Sequence, residues 1–116
     1  MSTFGDPEHE LTPQRVAEIL ADEGAQVIDV REPYEREAGR IPGTRHIELE
    51  RLASEAETIR REMPVVFYCR LGARSGMAAQ AFRTAGYEAF NLTGGITAWR
   101  DAGLPLEPEG GHVAEH

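Results

Sequence analysis

Apolar runs of strand length alternate along this chain with stretches whose apolar residues recur at helical spacing. Val16, Ile19 and Leu20 form one helical stripe. It follows Thr12-Pro13, a good N-cap residue and a proline suited to the first helical position. Gly24 is the expected stop. Val27 to Val30 reads as a strand, apolar on both faces apart from Asp29, as in a parallel sheet covered on both sides. Glu32-Pro33 opens a short acidic helical turn ending near Gly39, Ile41-Pro42-Gly43 is a turn, and His46-Ile47 is a brief extended segment. Leu49 to Met63 is predicted as one helix with Leu52, Ala56 and Ile59 on one face, stopped by Pro64. Val65 to Tyr68 is the strongest strand signal. A helix over Ser75 to Thr84 closes at Gly86, and Glu88 to Leu92 is a strand. Gly94-Gly95 is a turn, and Ile96 to Ala102 is the last helix, ending at Gly103.

This alternation predicts an α/β domain with a mostly parallel sheet and right-handed crossovers. In such folds the ligand crevice lies at the carboxyl ends of the strands. Residues 1–11 are expected as an N-terminal tail and 12–106 as the domain. Residues 107–116, rich in proline, glycine and charge, are expected as a flexible C-terminal tail. There is no internal repeat and no linker wide enough for a second domain.

Composition narrows the function classes. A chain of 116 residues with 41% apolar and 28% charged content supports one packed core. A net charge of −8 argues against general nucleic-acid binding, which needs a basic surface. No apolar run is long enough to span a membrane, and the first ten residues carry no secretory signal, so a cytoplasmic location is expected. The single cysteine excludes an intrachain disulfide, a Cys-x-x-Cys redox pair and a thiolate-rich zinc site. The four histidines show no metal spacing, and no cofactor is expected. No long exposed apolar stripe calls for a partner, so a monomer or weak homodimer is expected.

The chemistry concentrates at Cys69, which follows the Val65–Tyr68 strand and precedes a short glycine-bearing loop with Arg70 and Arg74. A lone cysteine is ordinarily a small buried hydrophobe. Here Gly72 permits a tight loop whose N–H groups turn inward as an anion-binding nest, and the helix from Ser75 adds the positive end of its dipole. Both features, with the two guanidiniums, favour a thiolate and an anion held over it. No histidine is close in sequence, which gives a Cys-His protease little support, although His46 could approach in space. Asp29 is expected to hydrogen-bond a neighbouring loop, and Arg31 with Glu35 to form a structural ion pair. Trp99, Tyr34 and Tyr68 are expected in the core, and His112 and His116 are expected to be chemically idle.

Cys69-Arg70-Leu71-Gly72-Ala73-Arg74-Ser75 resembles the active-site loop of rhodanese-like sulfurtransferases, Cys-x-x-Gly-x-Arg-Ser. Asp29-Val30-Arg31, Glu35 and Gly39-Arg40-Ile41-Pro42-Gly43 resemble the family's Asp-Val-Arg…Glu…Gly-His-Ile-Pro-Gly stretch, with Arg40 where histidine is common. Thr93-Gly94-Gly95-Ile96-Thr97-Ala98-Trp99 is similar to its Gly-Gly-x-x-Ala-Trp signature. The resemblance implies a rhodanese-like fold: a five-stranded, mostly parallel sheet with helices on both faces. It also implies a sulfurtransferase with Cys69 as nucleophile. The loop from Arg70 through Leu71, Gly72, Ala73 and Arg74 to Ser75 would bind substrate, with Asp29, Arg31 and Glu35 in support. A small anionic sulfur donor such as thiosulfate or a persulfide would load Cys69. Cyanide, a small thiol or a partner protein's thiol would accept the sulfur. A module that only carries or senses a persulfide for a partner is the alternative. Phosphatases and arsenate reductases built on this scaffold are less favoured, because the phosphatase loop is Cys-x5-Arg. Here the count from Cys69 to Arg74 is one residue shorter, which leaves a cradle suited to a sulfur atom.

Overall fold

Val65 to Tyr68 have both faces covered, and each of the four is 0% exposed. They form β4 (Val65–Tyr68), the middle of a sheet of five strands. Its neighbours are β2 (Gln26–Asp29) and β5 (Ala89–Leu92), with β3 (Arg45–His46) and β1 (Glu10–Leu11) at the edges. The strand order is β1-β5-β4-β2-β3, and every neighbouring pair is parallel. The computed structural model describes residues 9–116; residues 1–8 of the expected N-terminal tail lie outside the described residues.

Alternation along each strand divides the core into two layers. On one face Ile28, Val65, Phe67 and Ala89 pack against Ala78, Ala79 and Phe82 of α4 (Ala73–Thr84) and Leu52 of α3 (Leu52–Glu55). On the other, Val27, Val66, Tyr68 and Phe90 pack against Val16 and Ile19 of α1 (Pro13–Asp22) and Ile96 and Trp99 of α5 (Gly95–Asp101). Trp99 is core, 2% exposed, with its ring N–H on the Pro105 carbonyl at 2.7 Å. The expected α/β architecture, with helices on both faces, is the one found.

Several elements differ from expectation for local reasons. Leu49 to Met63 is not one helix. Two 3-10 turns, Leu49–Arg51 and Ala56–Thr58, flank the four-residue α3. Ser54 donates its hydroxyl to the Arg51 carbonyl at 3.0 Å, and Thr58 to the Glu55 carbonyl at 2.7 Å. Such bonds compete with helical ones, and the Tyr87 hydroxyl takes the Ala56 carbonyl at 3.0 Å as well. At the end of α1 it is Glu23, not Gly24, that turns left-handed (φ 54°), while the Gly24 N–H caps the Ile19 carbonyl.

Both expected tails contribute to the fold. Leu11 is buried, and β1 pairs Glu10 with Asn91 and Leu11 with Leu92. Two residues are too few for a periodic signal, so this edge was not readable as a strand. Residues 107–116, expected as a flexible tail, lie along α2 (Pro33–Ala38). Arg40 and Glu107 exchange backbone hydrogen bonds at 2.8 and 2.9 Å, and the His112 N–H reaches the Ala38 carbonyl at 2.9 Å. Val113 packs against the second core layer, and the Tyr34 hydroxyl donates to the Glu115 carbonyl at 3.0 Å. The proline and glycine content of this segment reports lack of regular structure, not lack of contact.

Candidate active site

The loop after β4 turns at Gly72 and enters α4 at Ala73, two residues before the expected start. That shift places Ser75 in the first turn, where backbone N–H groups have no helical acceptor. Cys69 is 1% exposed, and its Sγ takes those free donors. The Gly72 N–H lies 3.1 Å away, the Ser75 N–H 3.4 Å and the Ser75 hydroxyl oxygen 3.3 Å. Gly72 holds φ at +108°, a conformation that glycine alone adopts without strain. The carbonyls of the same loop point elsewhere: those of Cys69 and Arg70 accept the N–H groups of Ile96 and Thr97 at 2.9 and 3.1 Å. The sulfur therefore faces N–H groups and the positive end of a 12-residue helix, a setting that favours negative charge.

A cavity of about 280 Å³ opens above the sulfur, lined by Cys69, Arg70, Leu71, Ala73, Arg74 and His116. Leu71 is 57% exposed at its rim. His116, expected to be idle in a loose tail, stands at this mouth 3.5 Å from Glu32. His46, the histidine thought able to approach, instead bonds the Arg31 carbonyl through Nε2 at 2.7 Å.

The charged residues pair differently from the expectation. Arg31 does not bind Glu35. It forks onto Asp29 through Nε and Nη2 at 2.9 and 2.8 Å, and both side chains are fully buried. The Asp29 carboxylate also takes the Arg31 backbone N–H at 3.0 Å, so the turn after β2 is closed by the acid itself. Burial pulls the Arg31 guanidinium toward neutrality, but the bonds and charge of Asp29 outweigh it and raise its pKa above the ordinary value.

Glu35, in the first turn of α2, faces the sulfur loop and is paired with Arg74 at 2.9 and 3.0 Å. Arg74 thus spends much of its charge inside the protein. No described residue pairs with Arg70, which remains the uncommitted guanidinium of the cavity. Tyr68 is core, and burial pushes its hydroxyl up to about 12, while the hydroxyl accepts the Ile41 N–H at 3.2 Å. Tyr34, by contrast, is 49% exposed and not core.

Burial alone would raise the Glu35 carboxyl, but the Arg74 guanidinium and the Glu32 N–H hold it below its ordinary 4.5. A carboxyl lowered in the fold stabilises above the unfolded value and loses that contribution as pH falls through the folded one. Glu35→Gln is therefore expected to be less stable than wild type at neutral pH, with the gap closing below 4.5. Urea midpoints measured across that range test this; a gap independent of pH would show that the charge of Glu35 is not what stabilises.

Asn91 and Glu10, absent from the sequence-based site, stand directly behind it. The Asn91 carboxamide bonds the Ser75 hydroxyl at 2.6 Å and the Gly72 carbonyl at 3.2 Å, and Glu10 bonds Asn91. A polar residue inside the apolar run Ala89–Leu92 was the available signal.

A doubly wound α/β sheet with one cysteine in an amide cradle at a strand's carboxyl end defines the class of protein. The pattern of the rhodanese-like domain matches residues 12–102, and the chain belongs to that family. The chain is 44% identical over 94 residues to the "Uncharacterized protein YqhL" of Bacillus subtilis, covering 74% of this chain and 75% of that protein. It is 33% identical over 111 residues to the "Thiosulfate sulfurtransferase GlpE" of Pseudomonas aeruginosa, covering 95% and 99% of the two chains. Among solved structures, a rhodanese-related protein of Thermoplasma volcanium superposes with a TM-score of 0.78 at 26% identity, over 84% of this chain and 95% of that one.

Proposed function

We propose that this chain is a sulfurtransferase in which Cys69 carries sulfane sulfur from a donor to a thiophilic acceptor. The observation that carries the reading is the seat of Sγ among the Gly72 and Ser75 N–H groups, under a cavity that admits a small molecule. The similarity to a thiosulfate sulfurtransferase along nearly the whole chain supports it.

With thiosulfate as donor, the Cys69 thiolate attacks the outer sulfur, the donor's S–S bond breaks, and sulfite leaves with the electron pair. Cys69 is then a persulfide. With cyanide as acceptor, carbon attacks the terminal sulfur, the bond to Sγ breaks, and thiocyanate leaves as the thiolate is restored. A persulfide donor and a thiol acceptor, small or on a partner protein, follow the same two displacements. No external redox agent is required, and with one cysteine in the chain the acceptor comes from outside.

The Gly72 and Ser75 amides of the loop hold the sulfur, and Arg70 draws in the anionic donor. Arg74 contributes less to that attraction, because Glu35 already engages it. Asp29 and Arg31 brace the two ends of α2, the helix that carries Glu35. The reading places the protein in the cytoplasm, and recovery of the native protein outside it in a fractionation would contradict that.

Intact-mass measurement after exposure to thiosulfate or glutathione persulfide tests the chemistry. One added sulfur, about 32 Da, is expected on wild type and not on Cys69→Ala. Cyanide should remove it with release of thiocyanate. No adduct with either donor would overturn the reading in favour of a module that only binds.

A further inference from the structure

We propose that Asn91 is a positioning residue of the sulfur site, whose carboxamide, held in one orientation by Glu10, fixes the Gly72 carbonyl and the Ser75 hydroxyl facing Cys69 Sγ. The inference rests on Cys69 being the reacting group of the proposed sulfurtransferase.

Asn91 is 5% exposed on β5, opposite Glu10 of β1. Its Nδ2 lies 3.1 and 3.2 Å from the two carboxylate oxygens of Glu10 and 3.2 Å from the Gly72 carbonyl oxygen. A carboxylate and a carbonyl have no hydrogen to give, so the amide nitrogen must be the end that meets them. Half a turn of the carboxamide would set its oxygen against three acceptors. Its Oδ1 is thereby committed to the other side, 2.6 Å from Ser75 Oγ, and an oxygen there can only accept. Glu10 is held in turn by the Thr93 hydroxyl at 2.9 Å.

Ser75 has one hydroxyl hydrogen and two claimants, Asn91 Oδ1 at 2.6 Å and Cys69 Sγ at 3.3 Å. With the sulfur protonated, the chain is complete: the thiol donates to Oγ, and Oγ donates to Oδ1. In the bare thiolate the claims conflict. If the hydrogen turns to sulfur, a buried carbonyl oxygen loses its donor, a costly state. If it stays on Asn91, the thiolate rests on the Gly72 and Ser75 amides alone. Once Cys69 carries a second sulfur, Sγ is no longer the charged atom and the hydroxyl returns to Asn91. Asn91 thus restrains the bare thiolate and accommodates the protonated and loaded forms.

Other charges also face this sulfur. Arg74 on α4, paired with Glu35 of α2, is close enough for the sulfur's charge to act on it. Arg70 and His116 share its cavity, and Glu10 stands behind Asn91 on β1. A single pH profile cannot separate these groups, so the test is a cycle of variants. Alkylation of Cys69 by iodoacetamide needs a thiolate that the reagent reaches through the cavity, and no sulfur donor or acceptor. It reads the site whether or not sulfur transfer occurs, and failed sulfur loading with normal alkylation would count against the function alone.

In Asn91→Leu the Ser75 hydroxyl is free to donate to the thiolate, while the Gly72 carbonyl keeps the Gly76 N–H at 2.9 Å. The alkylation profile is expected to move to lower pH, with the rate below the wild-type midpoint rising about threefold to tenfold, since one pH unit of displacement is tenfold in thiolate there. In the Ser75→Ala background the same substitution should give no gain. Equal changes in both backgrounds, or no gain with Ser75 present, would overturn the proposal. Should Asn91→Leu fail to fold, the wild-type protein answers by NMR. The Asn91 side-chain Cγ resonance is expected to follow the alkylation midpoint, and to stop doing so in Ser75→Ala. A flat response in wild type would overturn the proposal as well.

Discussion

Asp29→Ala is expected to cost about 3–5 kcal/mol of folding stability, the range found when one member of a buried ion pair is removed. In a domain of this size that corresponds to a fall in Tm of more than about 10 °C. Asp29 and Arg31 are both 0% exposed, and the carboxylate supplies two of the three hydrogen bonds made by the Arg31 guanidinium. The third goes from Nη2 to the Gly39 carbonyl at 2.8 Å, and Arg31 Nη1 already has no partner. Without Asp29 the guanidinium charge would sit in the core with one carbonyl as its hydrogen-bond acceptor and the Tyr68 ring 5.7 Å away. Arg36 would lose the same carboxylate, which it reaches at 3.4 Å, though its bonds to Thr44 remain. Replacing both buried residues, as in Asp29→Leu with Arg31→Met, should recover part of the loss, because the stranded charge goes with its partner. Urea unfolding followed by circular dichroism measures both; a loss below about 1 kcal/mol in Asp29→Ala would show that the pair is not what holds this turn.

Gly95→Ala is the second large effect, and it falls on the site. A Cβ at Gly95 would lie 2.5 Å from the carbonyl oxygens of both Cys69 and Arg70. Those carbonyls accept the N–H groups of Ile96 and Thr97, so the methyl would wedge the sulfur loop away from α5. Gly95 also holds φ at +64°, which costs an L side chain about 1–2 kcal/mol. The collision adds about 1–3 kcal/mol. More telling is the rate: displacing a reacting group by about 1 Å can cost on the order of 100-fold, and sulfur loading of Cys69 is expected to fall by that order. Gly43→Ala is the control, because Gly43 has a similar φ of +80° with nothing within 4 Å of its Cβ position. It should lose stability without losing loading rate. Equal loading rates in the two variants, followed by intact mass, would show that the close approach of α5 does not set the sulfur loop.

Much of this could be read from the chain, and the limits have physical causes. The strands β2, β4 and β5 announce themselves because burial on both faces favours near-continuous apolar runs, broken here only by polar residues such as Asp29 and Asn91. Cys69 and its loop stand out because a thiol, a glycine and two guanidiniums rarely meet without a reason. Ion-pair partners were less legible. Arg31 and Glu35 are neighbours at helical spacing, but the turn after β2 gives Arg31 to Asp29, and the packing of α2 on the sulfur loop gives Glu35 to Arg74, 39 residues away. Short elements carry no period, which hid β1 and the breaks on either side of α3. Asn91 was visible only as an interruption in an apolar strand, and its meaning depends on three elements meeting behind the sulfur.

The donors nearest the sulfur are mostly main-chain N–H groups, which any residue other than proline supplies. The side chains of Arg70 and Leu71 are left out of that task, and Leu71 stands more than half exposed at the rim. In the proposed sulfurtransferase the loop therefore writes its chemistry in the backbone and leaves its address to the side chains. New residues at positions 70 and 71 could redirect the site toward a different partner while the sulfur stays where it is. A scaffold divided in this way can diversify its clientele without relearning its reaction.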